Sequence, residues 1–146
     1  MKYPFENTVS ITINAAKDKV WKALTDPAII KQYFFGTNTE SDWKPGSPIT
    51  FRGEYEGKKY HDKGSVLENE KGKKLKYNYW SSMSGIEDLP ENYANITYTL
   101  DEIDINKTGL TIHQDNIPDE ERKKHSAENW KLVMNGLKNI VEKKDS

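Results

Sequence analysis

An apolar stripe near the C-terminus constrains this chain more than any other feature. Trp130, Val133, Met134, Leu137, Ile140 and Val141 fall at i, i+3, i+4, i+7, i+10 and i+11, which places all six on one face of a helix. Pro118-Asp119-Glu120-Glu121 opens that element, with acidic residues where the helix dipole favours them. At 1.5 Å per residue the helix runs about 35 Å. So long a one-sided helix must bury its stripe against a second layer.

The preceding sequence reads as that layer. Val9, Ile11 and Ile13 alternate with Ser10 and Thr12, the two-residue period of a half-buried strand. Two short helices follow, one over Lys17 to Leu24 and a second starting at Pro27 and running through Phe34. Proline costs nothing at a first helical position, where its missing N–H has no partner to lose. After Gly36 short runs are separated by turn residues: Ile49 to Tyr55, Lys58 to Glu68, and Leu75 to Trp80. They predict an antiparallel meander. Ser81 to Asn92 has no period and reads as a long loop or lid. Tyr93 to Ile103 and Gly109 to Asn116 are two further strands around an Asp104 to Thr108 turn.

Composition narrows the function classes. At 146 residues the chain is expected to form one domain spanning 1–146, burying roughly 68–70% of its unfolded surface. The formal net charge is −1 and both signs are interspersed, so no basic face is offered to nucleic acid. The first residues carry no export signal, and no run of about 18 apolar residues occurs. A soluble, cytoplasmic monomer without membrane insertion is the expectation, and Asn95-Ile96-Thr97 and Asn106-Lys107-Thr108 are read as chance glycosylation matches. The chain has no cysteine, which removes disulfides, thiolate metal sites and thiol nucleophiles.

Particular residues point further. Val20-Trp21-Lys22-Ala23-Leu24-Thr25-Asp26-Pro27 with Tyr33-Phe34, Trp43-Lys44-Pro45-Gly46 and Gly64-Ser65-Val66-Leu67-Glu68 resemble the START-like superfamily that includes the birch pollen allergens. Tyr77 to Trp80 with Ser81-Ser82, Gln114 to Glu121, His125, and Trp130 with Leu137 resemble the branch related to the C-terminal domain of the activator of the 90-kDa heat-shock protein ATPase. The chain departs from the pattern at Ser47 and Asn129, where glycines are frequent. The resemblance implies an α+β helix-grip fold: a curved antiparallel sheet of six or seven strands around a long C-terminal helix, with two short helices after the first strand. Its members range over lipid or polyketide binders, cyclase or aromatase-like enzymes and chaperone partners, so the fold alone does not choose among them.

A pocket between sheet and helix is the feature the residues themselves favour. Leu75, Tyr77 and Tyr79 share one strand face, Ile96, Tyr98 and Leu100 another, and Leu110 and Ile112 a third. Several inward tyrosines suit a cavity that holds water or a polar ligand group. The expected lining is Phe35, Phe51, Tyr77, Tyr79, Ile96, Tyr98 and Ile112 opposite Trp130, Met134 and Leu137.

No catalytic or metal-binding set emerges, and no cofactor is expected. His61 and Asp62 are adjacent on a strand and point to opposite faces, and His113 lies opposite Ile112, toward solvent. Three scattered histidines lack chelate spacing. Ser81, Ser82 and Ser84 have no identifiable base, Trp43 and Trp80 read as scattered aromatics, and Lys71, Lys73, Lys74 and Lys76 keep an edge soluble.

The leading expectation is therefore a non-enzymatic carrier or sensor for a small hydrophobic molecule, lipid-like or planar and aromatic. A module acting on a chaperone ATPase is the second; the activators carry a further N-terminal domain for which this chain has no room. A cyclase or aromatase-like enzyme using pocket tyrosines as acid and base is the third.

Overall fold

The computed structural model describes residues 3–143. Its elements are β1 (Phe5–Ile13), α1 (Lys17–Thr25), α2 (Pro27–Tyr33), β2 (Asn38–Glu40), β3 (Pro48–Tyr55), β4 (Lys58–Glu70), β5 (Lys74–Tyr79), β6 (Ala94–Asp104), β7 (Lys107–Ile117) and α3 (Glu120–Glu142). The seven strands form one antiparallel sheet in the order β1-β7-β6-β5-β4-β3-β2. The first strand closes against the last, and the strands between them pair in chain order. With α3 across the sheet, this is the expected helix-grip α+β fold.

Local chemistry explains the joints. Asp26 ends α1 and caps α2, its carboxylate accepting the Ala28 N–H at 3.0 Å, with Pro27 in the first turn. Asp119 caps α3 by accepting the Arg122 N–H at 2.8 Å, which satisfies one of the helix's orphan donors. Glu56 and Gly57 turn β3 into β4 with φ of 49° and 80°, the left-handed pair that a tight hairpin requires. Gly64 has a different role: a Cβ there would lie 1.7 Å from the Asn78 carbonyl oxygen, so only glycine lets β4 approach β5 this closely. The β4–β5 register then shifts between Val66 and Glu68, and such a bulge increases local twist.

Several boundaries differ from the sequence reading. β1 begins at Phe5, because Phe5 pairs with Ile117 and Asn7 with Gln114, a partnership invisible from local alternation. The three-residue β2 carries too short a pattern to detect. Trp80 leaves β5 as an isolated bridge to Lys63. The segment after it is pinned, with Trp80 Nε1 donating to the Ile86 carbonyl at 2.9 Å, Lys63 paired with Asp88 at 2.6 Å, and a short 3-10 turn at Pro90–Asn92.

The core lies between the sheet and the three helices. Ile13, Val20, Leu75, Leu110 and Leu137 are fully enclosed, and α3 packs against β1, β7, α1 and α2.

Candidate functional site

Beside this core the concave sheet and the N-terminal half of α3 leave a cavity of about 700 Å³. Five aromatic rings form a closed circuit, four of them (Phe34, Phe51, Tyr77 and Trp130) at the cavity wall and the fifth, Tyr98, in the core behind it. Phe34 stacks on Phe51 at 6.0 Å, Phe51 meets Tyr77 at 5.8 Å, and Tyr77 meets Tyr98 edge-on at 5.6 Å. Tyr98 then meets Trp130 at 5.9 Å, and Trp130 returns to Phe34 at 6.1 Å. Tyr79 joins from Phe51 at 5.6 Å. The centroid spacings suit edge and offset contacts, each adding to the ordinary burial of the rings. Each residue comes from a separate element or its edge: the end of α2, then β3, β5, β6 and α3. The circuit therefore exists only in the assembled fold.

The polar groups of the wall and of the core just behind it are largely satisfied by protein partners. Tyr77 and Tyr98 share a hydrogen bond of 2.7 Å between hydroxyls, and Tyr33 donates to the Ala23 carbonyl at 2.9 Å. Burial pushes all three hydroxyls above their ordinary range, with the neighbouring Tyr98 adding to the effect on Tyr33 and Tyr77. They remain protonated donors at neutral pH. Thr37 and Tyr60 hydroxyls meet at 2.5 Å. Gln114 accepts both the Trp130 indole N–H and the Ser126 hydroxyl at 2.8 Å, locking the indole onto β7.

Asp62 is the one carboxylate in the wall that is nearly enclosed, at 7% exposure. It accepts the Tyr79 hydroxyl at 2.5 Å, the Ser82 N–H at 2.9 Å and the Ser82 hydroxyl at 3.2 Å. Burial, and then the negative charge of Asp62, hold the Tyr79 hydroxyl well above its ordinary range. Glu54, Arg122 and His125 are exposed positions at the mouth. Arg122 is engaged there, with Asp119 at 3.6 Å and the Ser84 carbonyl at 3.3 Å. The rim is also apolar: Phe35, Met83 and Leu132 are 58%, 47% and 60% exposed. Phe35 holds φ of 56°, a conformation uncommon for a bulky side chain.

The ten residues expected at a pocket divide into two groups. Phe35, Phe51, Tyr77, Tyr79, Ile96 and Trp130 line the cavity, with Phe35 at its rim. Tyr98, Ile112, Met134 and Leu137 do not: all four are buried in the close-packed core beside it. Met134 and Leu137 share the stripe of Trp130, but the helix has by then passed over α1, α2 and β1, which fill the space beneath. Tyr98 touches the cavity only through its contacts with Tyr77 and Trp130.

Asp62 and Gln114 escaped the sequence reading. A signal existed for both. Tyr60, Asp62, Gly64 and Val66 share one parity on β4, as do Leu110, Ile112 and Gln114 on β7, so alternation aims both polar residues inward. Of the histidines, His61 is exposed, His113 lies 3.5 Å from Glu6 on the outer face, and His125 stands at the mouth. None of the described helices is long and apolar enough to cross a membrane.

Comparison with known proteins places this geometry. The solution structure of ChR145 from Cytophaga hutchinsonii has 42% sequence identity, covers 97% of each chain and superposes with a TM-score of 0.82. The Aha1 dimer from Colwellia psychrerythraea has 18% identity over 95% of this chain and 97% of its own, with a TM-score of 0.75. An HSP90 activator from Plasmodium falciparum has 17% identity over 95% and 97%, also with a TM-score of 0.75. At such identities these last two show a shared fold. No curated protein sequence matches the chain. The model of the family described as Activator of Hsp90 ATPase homolog 1-like protein matches residues 14–142, so this chain belongs to that family.

Proposed function

We propose that this protein binds a small hydrophobic molecule, lipid-like or planar and aromatic, between the sheet and the N-terminal half of α3, as a carrier or sensor. The observation that carries the reading is the cavity of about 700 Å³ walled by four rings of a closed aromatic circuit. Ligand sites commonly measure about 300–1,000 Å³ and are mostly apolar with a few placed polar groups. The tyrosine hydroxyls pair with each other and with Asp62, which leaves ring faces and edges for a ligand. Trp130 in the wall is a built-in reporter. The test is a panel of fatty acids, sterols and flat polyphenols followed by tryptophan emission and calorimetry. At least one should bind, and Val133→Phe, which projects a larger side chain into the cavity, should abolish that binding. If no compound perturbs the wild type and no small molecule accompanies the native mass, the carrier reading fails.

A second reading, action on a chaperone ATPase, is favoured by the family match and by the exposed Phe35, Met83 and Leu132 at the mouth. A change in chaperone ATPase rate on adding this protein, lost in Phe35→Ser with Leu132→Ser, would support it. An enzymatic role draws less support. Tyr77, Tyr79 and Tyr98 are all held above their ordinary range, which suits hydrogen-bond donation and makes each a poor general base.

A further inference from the structure

We propose that the cavity selects a hydrophobic ammonium ion, an amine protonated at neutral pH on an apolar body, with the Asp62 carboxylate as its counter-charge. This rests on the cavity being a ligand site and names the class of ligand it takes. Asp62 is buried in the wall, and among the described residues no lysine, arginine or histidine forms an ion pair with it. Its three hydrogen bonds come from a tyrosine hydroxyl, a serine hydroxyl and a backbone N–H. Neutral donors orient a carboxylate but leave its charge in place, and a buried charge is costly until an opposite charge meets it.

The surroundings favour a cation for a second reason. The rings of Phe51, Tyr77 and Tyr79 line the same cavity, and aromatic faces attract cations through their quadrupole and disfavour anions. The remaining ionisable side chains of the lining are Glu54, which adds negative potential, and Arg122 with His125 at the mouth. Arg122 is already paired with Asp119 and the Ser84 carbonyl. A fatty-acid carboxylate would bring a second anion beside Asp62, whereas an ammonium group replaces the missing counter-ion. The geometry thus separates ligands of equal shape by charge.

Three probes of one shape test this: 1-naphthylmethylammonium, 1-naphthylmethanol and 1-naphthoate, titrated into the wild-type protein at pH 7 by calorimetry. The ammonium should bind at least about tenfold tighter than the alcohol, with the carboxylate weakest. Asp62→Asn should bring the ammonium-to-alcohol ratio to about one. A wild-type ratio near one, or the carboxylate binding best, overturns the proposal while leaving the cavity reading intact. A preference that survives in Asp62→Asn also overturns it, since the counter-charge would then lie elsewhere. If none of the three probes binds, the proposal falls, and the panel of uncharged hydrophobes decides whether the cavity reading falls with it. Should Asp62→Asn not fold, the wild-type ranking still decides, because it needs no substitution.

Discussion

The two halves of α3 carry one continuous apolar stripe, yet one half closes a cavity and the other a solid core. Around Met134, Leu137 and Val141 the helix meets α1, α2 and β1, and Leu137 is fully enclosed. A Cβ on Gly136 would stand 3.1 Å from the Tyr33 side chain, so helix and helix are in direct contact there. Lys138 reaches the Thr12 carbonyl at 2.9 Å and pairs with Glu142, which accepts the Asn14 N–H at 2.8 Å. Around Trp130 and Val133 the helix instead borders the cavity: Trp130 touches Phe34 at the end of α2, Tyr98 of β6 and Gln114 of β7, and Phe51, Asp62, Tyr77 and Tyr79 of β3, β4 and β5 complete the lining. Identical stripe chemistry has opposite consequences because the partner surfaces differ.

Substitutions in the two halves can break that contrast. The largest effect is expected at Leu137→Ala, which leaves a void in the solid half and should cost about 2–5 kcal/mol in urea unfolding. A loss below about 1 kcal/mol would mean that this half is not close-packed. Enlargement sharpens the comparison: Leu137→Trp overpacks and should cost about 1–3 kcal/mol. Val133→Phe should cost less, since part of its added volume enters the cavity, and equal losses in the two variants would erase the distinction between the halves.

The smallest effect concerns the wall itself. Tyr77→Phe removes one hydroxyl of the buried 2.7 Å pair with Tyr98 and should cost about 1 kcal/mol, the scale of a lost hydrogen bond with its partner left unsatisfied. The same pair sets an alkaline limit. Folding raises the pKa of Tyr77 and Tyr98 above the unfolded value of about 10. Their contribution is fully present below that pH and is lost as the unfolded chain ionises first, so stability falls as pH rises beyond about 10. A melting temperature that stays flat from pH 9 to pH 11 would contradict the burial of these hydroxyls.

Much of the fold was legible because its signals are local. The α3 stripe, the Asp26-Pro27 break and the alternation of β5, β6 and β7 each repeat within a few residues. β2 was not legible, since three residues such as Asn38, Thr39 and Glu40 carry no measurable period. The start of β1 was also hidden, because Phe5 is held by Ile117 at the far end of the chain. At the site, the parity of Asp62 with Tyr60 and Val66 was readable but overshadowed by its neighbour His61.

By itself the sequence determined which residues face inward: strand parity and helical spacing are properties of the covalent chain, set by the geometry of the backbone. It could not determine whether an inward residue meets another side chain or empty space. Tyr79 and Leu75 share one face of one strand, yet Leu75 is sealed in the core and Tyr79 borders the cavity. That choice depends on how β4 and β5 approach each other at Gly64 and on where α1 and α2 pack against the helix. Both are distances between elements remote in sequence, and only the packed tertiary structure sets them.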